Sequence, residues 1–330
     1  MPGSRSHVLS VWAHASSASW ATIKEKRVRI NFFMGVEVMS ERRAGHSVTV
    51  VFVRVAMLLA LLTSSGCAWL DMHQRQIIYR PTVATPTDFA GLRGRDVRYF
   101  VSVTGPDAPQ RLAIWWLPHG TPDAPTLLYL HGTFRNLFQN LKKIESLRAA
   151  GYSVLAVDYR GWGESSAVTP SEASIRQDAL LAWAELEKHQ PNAGQRVIYG
   201  HSMGSGVAVD LASRLAPADY GGLVLESAFT SFTDVAHASG WLARLLNLFN
   251  PERLDSLGKI TRIKAPLLML HGSLDSTIPI HLGQQLFAAA NAPKQWLAIE
   301  AAAHSDLDQI NPALYQATLR SFAANYLSDK

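Results

Sequence analysis

The chain has 330 residues, 48% of them hydrophobic and 17% charged, a composition that excludes a disordered or fibrous protein and fits one large globular domain with an N-terminal extension. Its net charge of +5 resides in residues 1–66, which hold eight of the 31 Lys and Arg but three of the 26 Asp and Glu. The remaining 23 basic and 23 acidic residues balance, so we expect no basic surface and no nucleic-acid partner.

Residues 1–66 read as an N-terminal extension that ends in an export signal. Basic residues up to Arg54 precede the apolar run 55–62, and small residues lead from that run to the following cysteine, Cys67. An apolar run of eight residues is too short to cross a bilayer. The pattern therefore favours an export signal over a transmembrane anchor, and a secreted or a signal-anchored protein is one alternative for the location of the exported chain.

Cys67 is the only cysteine of the chain, which excludes an intramolecular disulfide and a cysteine metal cluster. The pair Gly66-Cys67 resembles a bacterial lipoprotein processing site, in which the cysteine becomes the lipidated first residue of the mature protein. Ser64 stands where such signals usually carry Leu, Val or Ile. An ordinary secretory signal and a buried free thiol stay open. The resemblance implies a lipoprotein on the periplasmic face of a bacterial membrane, with the N-terminal anchor or signal as its membrane contact.

Beyond Cys67, short apolar runs alternate with helical stretches in a single domain, 67–330. A hairpin over 97–103 and 112–117, with its turn at Gly105, Pro106 and Asp107, is followed by six continuous apolar strands. These strands are predicted at 126–130, 153–157, 196–199, 222–225, 266–270 and 295–299, and helices at 171–188, capped by Ser171, and at 283–290. Continuous strands separated by helices predict an α/β fold with a mostly parallel eight-stranded sheet, helices on both faces, and chemistry at the carboxyl ends of the strands.

The strand at 196–199 runs into a G-x-S-x-G sequence, Gly200-His201-Ser202-Met203-Gly204, and a helical stretch follows. In this strand–turn–helix context the pattern is a nucleophile elbow, which presents the serine hydroxyl on a sharp turn. The flanking residues Gly200 and Gly204 are glycine because a side chain at either position would meet neighbouring backbone. Ser202 is therefore the predicted nucleophile.

A serine hydroxyl needs a general base, and the base needs an acid to orient it. In this fold the chain order is serine, acid, histidine. Asp275 follows the strand at 266–270 and His304 follows the strand at 295–299, so both stand at carboxyl ends of strands in the required order. His131 and His271 are interpreted as structural, and His201 as pointing away from the nucleophile.

An acyl-transfer intermediate carries an oxyanion that needs two preorganised donors. The backbone N–H of Met203, the residue after the nucleophile, is one predicted donor. The other is the N–H of Thr133, in the loop after the strand at 126–130, where Gly132 allows a close approach.

The chain from about residue 76 to 326 resembles the α/β hydrolases similar to Bem46 and to ABHD13/ABHD17-type enzymes, often grouped with the serine aminopeptidase (S33) domain. The motifs that carry the resemblance are Ile77-Ile-Tyr-Arg-Pro81, His131-Gly132, Asp158-Tyr-Arg-Gly-Trp-Gly-Glu-Ser165, the elbow at 200–204, Glu226-Ser-Ala-Phe-Thr-Ser231, Asp255-Ser-Leu-Gly-Lys-Ile260, His271-Gly-Ser-Leu-Asp275 and His304. Two positions depart from the family pattern. Thr133 stands where the family often has Asn, and the segment 241–250 lacks the Pro that the family tends to have there.

The resemblance implies an α/β-hydrolase fold with a small cap around 228–262, and hydrolysis of an ester or thioester through an acyl-enzyme. Apolar residues at helical spacing in 241–249 favour a helix that packs on the core. The substrate is expected to be a small or acylated molecule, and neither a cofactor nor a metal is expected. A peptidase of the S33 type and a non-catalytic lipid-anchored binding protein are the alternatives.

Overall fold

In the computed structural model the chain divides into two units, 1–67 and 68–330. The structure describes residues 68–104, 109–121, 123–248 and 250–327, with four isolated positions at 53, 54, 57 and 66. Cys67 and the hairpin turn predicted at 105–107 lie outside the described residues. The apolar run 55–62 is described at position 57 only. Among the described residues, no helix combines the length and apolar character needed to cross a bilayer.

Eight strands form one sheet in the order β1-β2-β4-β3-β5-β6-β7-β8. The strands are β1 (Val97–Val103), β2 (Gln110–Leu117), β3 (Thr126–Leu130), β4 (Ser153–Asp158), β5 (Arg196–His201), β6 (Gly222–Glu226), β7 (Leu267–Gly272) and β8 (Lys294–Ile299). Strand β2 is antiparallel to both of its neighbours, and all the other neighbours are parallel. The predicted mostly parallel eight-stranded α/β sheet is thereby confirmed.

The helices that the structure describes lie between these strands and at both ends of the domain. They are α1 (residues 68–79), α2 (Leu137–Ala149), α3 (Glu172–His189), α4 (Met203–Ala212), α5 (Phe232–Ala238), α6 (Trp241–Asn247), α7 (Leu257–Ile260), α8 (Ile280–Ala289), α9 (Leu307–Ile310) and α10 (Pro312–Tyr326). Ser171 caps α3, as its position before the apolar stripe predicted. The two hydrophobic clusters divide the sheet's apolar side chains between them, so helices cover both faces.

The central strands are buried from end to end, which explains their continuous rather than alternating apolar sequences. Strands β5, β6 and β7 extend one or two residues beyond the predicted ends, to His201, Glu226 and Gly272. These additional residues are polar or small, so they do not continue the apolar run from which the strands were predicted. They lie at the carboxyl ends of the strands, the edge of the sheet where chemistry is expected.

One sequence expectation is wrong in the structure. The helix expected to pack on the core is α6, and none of its residues is buried. The side chain of Trp241 is 76% exposed. A helical apolar stripe normally faces a core, but α6 belongs to the segment between β6 and β7 and lies over a cavity instead.

Candidate active site

Ser202 lies at the turn between β5 and α4, with φ of 55° and ψ of −123°. This left-handed conformation is strained for a residue with a side chain, and such strain persists only where the surroundings enforce it. Here the Ser202 N–H donates to the carbonyl of Glu226 at 2.9 Å, and the Ser202 carbonyl accepts from Ser205 N–H at 2.8 Å. The turn is thus held on one side by β6 and on the other by α4.

Both elbow glycines lie against backbone. A Cβ on Gly200 would come within 2.2 Å of the Gly204 carbonyl oxygen, and one on Gly204 within 2.0 Å of the Leu130 carbonyl oxygen. Backbone cannot rotate away as a flexible side chain does, so β3, β5 and α4 meet here only because both residues lack a side chain.

We expect Gly204→Ala to lower the free energy of unfolding by about 3 kcal/mol, the upper end of the cost of overpacking. The measurement is the midpoint of urea unfolding, with Gly120→Ala as control because a Cβ there meets nothing within 4 Å. Equal midpoints for the two variants would show that β3 and α4 separate easily.

The three side chains proposed from the sequence form one hydrogen-bonded line. His304 Nε2 lies 2.8 Å from Ser202 Oγ, and His304 Nδ1 lies 2.8 Å from Asp275 Oδ2. Ser202 and His304 are 102 positions apart in the sequence, and Asp275 and His304 are 29 apart. The geometry permits the imidazole to receive a proton from the hydroxyl while the carboxylate holds the opposite N–H.

The Asp275 carboxylate is held ionised although it is buried. Its Oδ1 accepts the N–H groups of Thr277 at 2.9 Å and Ile278 at 2.8 Å. Burial alone would raise the pKa of Asp275, but the donors around it, including His271 and His304, outweigh burial and place the pKa below its ordinary value. An ionised acid is what a histidine base needs on its far side.

His271, interpreted from the sequence as structural, contacts the acid of this line. Its Nε2 donates to the Ile278 carbonyl at 2.9 Å and lies 3.4 Å from Asp275 Oδ2. His131 is buried; its Nδ1 donates to the Gly132 carbonyl at 2.6 Å, and its Nε2 lies 3.4 Å from Asp158 Oδ1. The spacing of His271 four residues before Asp275 is the only signal that the sequence offers for the first contact.

The backbone of His304 is tied to the strand ends beside the nucleophile. Its carbonyl accepts from His201 Nε2 at 3.1 Å and from Ser227 Oγ at 3.0 Å. Burial lowers the pKa of His201 to about 4, so at neutral pH its ring is uncharged and donates from Nε2. The His201 ring is thus bonded to the backbone of His304 and holds the loop that carries the base.

Beneath this loop a cluster of buried charges joins three elements. Lys143 of α2 lies 2.6 Å from Glu226 Oε1, at the end of β6, and 2.5 Å from Asp308 Oδ1, in α9. Glu226 also accepts from the hydroxyls of Tyr199 and Tyr315. Burial alone would raise the pKa of Glu226, but Lys143 and its other neighbours hold that pKa at about 2. No local pattern in the sequence indicates this cluster, because Lys143 and Glu226 lie 83 positions apart.

The two residues predicted to donate to the oxyanion, Met203 and Thr133, lie next to Ser202 or in the loop that contacts it. Met203 is the first residue of α4, so its N–H has no partner within the helix. Thr133 follows Gly132, where a Cβ would stand 3.0 Å from Ser202 Cβ. The loop after β3 therefore approaches the serine as closely as the absence of a side chain allows.

Two cavities meet at Ser202. One, of about 340 Å³, has a mainly apolar lining that includes Ile77, Ile78, Phe229, Phe232, Val235, Ala243, Leu246 and Ile278. The other, of about 530 Å³, has a more polar lining that includes Arg135, Asn140, His201, His304, Ser305, Asp306 and Gln309. Ser202, Thr133, Phe134 and Thr277 line both. Among the described residues, no group of three or more His, Cys, Asp and Glu is placed to hold a metal ion.

Comparison with known proteins places the chain among hydrolases. Residues 122–257 match the family model described as serine aminopeptidase, S33. The chain is 30% identical over 273 residues to the uncharacterized protein Rv2307c of Mycobacterium tuberculosis, an alignment that covers 81% of this chain and 93% of the other. It is 32% identical over 206 residues to the lysophosphatidylserine lipase ABHD12 of Danio rerio, covering 57% of this chain and 53% of that relative, about half its length.

Solved structures show the same architecture. The esterase Pf2001 of Pyrococcus furiosus superimposes with a TM-score of 0.61 at 20% identity, over 75% of this chain and 97% of the esterase. An acylaminoacyl peptidase of Pyrococcus horikoshii superimposes with a TM-score of 0.53 at 16% identity, over 71% of this chain and 42% of the peptidase. At these identities the likeness concerns the fold.

Proposed function

Because this chain belongs to the α/β-hydrolase superfamily, in one family with its Mycobacterium tuberculosis relative, we propose that it is a serine hydrolase that cleaves carboxylic esters of acyl groups. The observation that carries the proposal is the hydrogen-bonded line Ser202–His304–Asp275, which opens onto an apolar cavity. Ser202 is the nucleophile, His304 the general base and acid, and Asp275 the group that orients the imidazole.

In the acylation step His304 Nε2 takes the hydroxyl proton as Ser202 Oγ attacks the ester carbonyl carbon. The negative charge on the carbonyl oxygen is received by the N–H groups of Met203 and Thr133. The protonated imidazole then gives its proton to the leaving alcohol oxygen, and the acyl-enzyme remains. A water then attacks the same carbon while His304 takes one of its protons. The bond between that carbon and Ser202 Oγ breaks, His304 returns the proton to Oγ, and the carboxylic acid leaves.

The two cavities fit the two halves of such an ester. The apolar cavity takes the acyl chain, since burial of methylene groups is favourable there. The polar cavity, with Arg135, Ser305 and Gln309 in its lining, takes the alcohol. The relative named as a lysophosphatidylserine lipase supports this division, because such a substrate joins one acyl chain to a polar head group. A thioester would follow the same steps with a thiol as the leaving group.

We expect hydrolysis of p-nitrophenyl esters, with kcat/KM rising up to about fourfold for each added methylene, since a buried CH₂ contributes about 0.8 kcal/mol. The rise should stop when the apolar cavity of about 340 Å³ is full. Ala243→Phe, which narrows that cavity, should move the optimum to shorter chains. The measurement is kcat/KM for acyl chains of increasing length with both proteins.

The alternatives make different predictions for the same protein. Turnover of aminoacyl arylamides without turnover of esters would favour the S33 peptidase. Failure to hydrolyse both, together with no labelling by a fluorophosphonate, would favour a non-catalytic binding protein. We also propose that the protein is exported and anchored to a membrane by a lipid on Cys67, as the sequence around that residue indicates.

A further inference from the structure

Helix α6 has two apolar faces, and only one of them serves the cavity. Ala243 and Leu246 line the apolar cavity. Trp241, Leu242 and Leu245 project from the opposite side of the helix, which follows from a rotation of about 100° per residue. Their side chains are 76%, 55% and 50% exposed. An apolar face is therefore left uncovered on the outside of the segment that closes the cavity.

Helix α1 borders the same cavity and carries a second uncovered face. Gln74 and Ile77 line the cavity, and Gln74 Nε2 donates to the Leu246 carbonyl of α6 at 3.1 Å. Trp69 and Ile77 are 59% and 56% exposed. Trp69, His73 and Ile77 follow one another at i, i+4 spacing on one side of the helix. The rings of Trp69 and His73 lie 4.0 Å apart, and Ile77 is where this side reaches the cavity.

The exposed apolar residues are concentrated in these two segments. Among the described residues, 19 large hydrophobic side chains are exposed, and nine of them lie within 68–79 and 241–248. They are Trp69, Leu70, Met72, Ile77, Trp241, Leu242, Leu245, Leu246 and Leu248. Scattered apolar residues are normal on a surface, whereas a cluster of this kind marks an interaction site.

We infer that residues 68–79 and 241–248 form a docking surface for a lipid bilayer, through which an acyl ester passes from the membrane into the apolar cavity. The inference rests on the proposed function for the identity of the molecule that passes. We call these two segments together the docking surface.

Charge on the docking surface favours a bilayer over an ionic partner. It carries three charged groups: Arg75 pairs with Asp71 at 2.9 Å and with the neighbouring Glu252 at 3.0 Å, and Arg244 Nε donates to the His237 carbonyl at 3.0 Å. Attachment would therefore depend on burial of apolar area and on tryptophan, which favours the membrane–water interface, rather than on anionic lipids.

The course of the chain points to the same partner. Trp69 follows Cys67 by two residues, a distance of about 7 Å at full extension. A lipid on that cysteine, or insertion of the apolar run 55–62, would hold the start of α1 at the membrane surface. The cavity between α1 and α6 would then open where acyl chains are stored, and the substrate would avoid crossing water.

The first test compares two substrates with the full-length chain. We expect the double variant Trp241→Ser/Leu245→Ser to hydrolyse a long-chain ester embedded in phosphatidylcholine vesicles roughly tenfold more slowly or worse, since two large apolar contacts are lost. Turnover of a water-soluble short-chain p-nitrophenyl ester should stay within about twofold, because these side chains face away from the cavity. Leu180→Ser, at a 41% exposed position on α3, is the matched control.

A second readout does not depend on catalysis. Brominated phosphatidylcholine should quench part of the tryptophan fluorescence of the full-length protein, and Trp241→Phe should remove a component of that quenching. Trp116→Phe, on β2, should leave the quenched component in place. An inactive protein that still shows this difference would refute the proposed function while retaining the docking surface.

Three results would overturn the inference. Equal losses with both substrates, in a double variant whose urea unfolding midpoint matches that of the wild type, would show that these side chains serve the cavity and not contact with lipid. Unchanged turnover in vesicles, with no quenching component from Trp241, would show that the surface does not meet lipid. A wild-type dimer that the double variant converts to monomer would show that the apolar face pairs two copies of this chain.

Discussion

Ser202→Ala is expected to lower kcat by a factor on the order of 10⁶, while the protein stays folded. Without Oγ no acyl-enzyme forms, and His304 has no hydroxyl to deprotonate. The variant should also lose labelling by a fluorophosphonate, which reacts with an activated serine. Removal of one oxygen at a turn held by backbone hydrogen bonds from Ser202 N–H and to its carbonyl should leave the unfolding midpoint nearly unchanged.

The matched control is Ser213→Ala, at the end of α4, where the hydroxyl donates to the Asp210 carbonyl at 2.8 Å. This variant should keep labelling and full turnover. Residual labelling of Ser202→Ala at the wild-type rate would identify another serine as the nucleophile. Equal rates for Ser202→Ala and the wild type would exclude the proposed mechanism even if labelling were lost.

Lys143→Met is expected to destabilise the domain by about 3–5 kcal/mol, the cost of leaving a buried charge without its partner. Glu226 and Asp308, both buried, lose the ammonium group that lies within 2.6 Å of each. Burial alone would lower the pKa of Lys143, but the two carboxylates outweigh burial and raise it, so the lysine is charged at neutral pH. Thermal unfolding should shift downward by roughly 10 °C.

Lys142→Met provides the control, since it removes the neighbouring, exposed lysine of the same helix and should change stability by about 0.5 kcal/mol at most. The combination of Lys143→Met with Glu226→Gln should recover part of the loss, because fewer uncompensated charges remain. A Lys143→Met protein as stable as the wild type would mean that water or structural relaxation compensates the carboxylates. The cluster would then not be needed to hold α9 and the loop of His304.

Much of the fold follows from patterns within single elements. The strands β3, β4 and β7 are continuous apolar runs because both of their faces are covered, so the parallel sheet could be predicted from sequence. Helix α2 was not predicted, because its buried face includes Asn140 and Lys143, which interrupt the apolar stripe. The role of α6 was misjudged for a related reason: an apolar stripe records that a face avoids water, not which neighbour covers it.

The sequence by itself determined the succession of the strands along the chain, the elbow around Ser202, and the placement of Asp275 and His304 after strands of a parallel sheet. These features depend on local spacing and on the rule that such strands end at one edge. Only the tertiary structure decided that His201 and Ser227 hold the His304 carbonyl, that Lys143 joins Glu226 and Asp308, and that two cavities of different polarity meet at the serine. The physical reason is that these contacts join residues up to 165 positions apart, and a chain's local pattern records whether a side chain is buried but not what it meets.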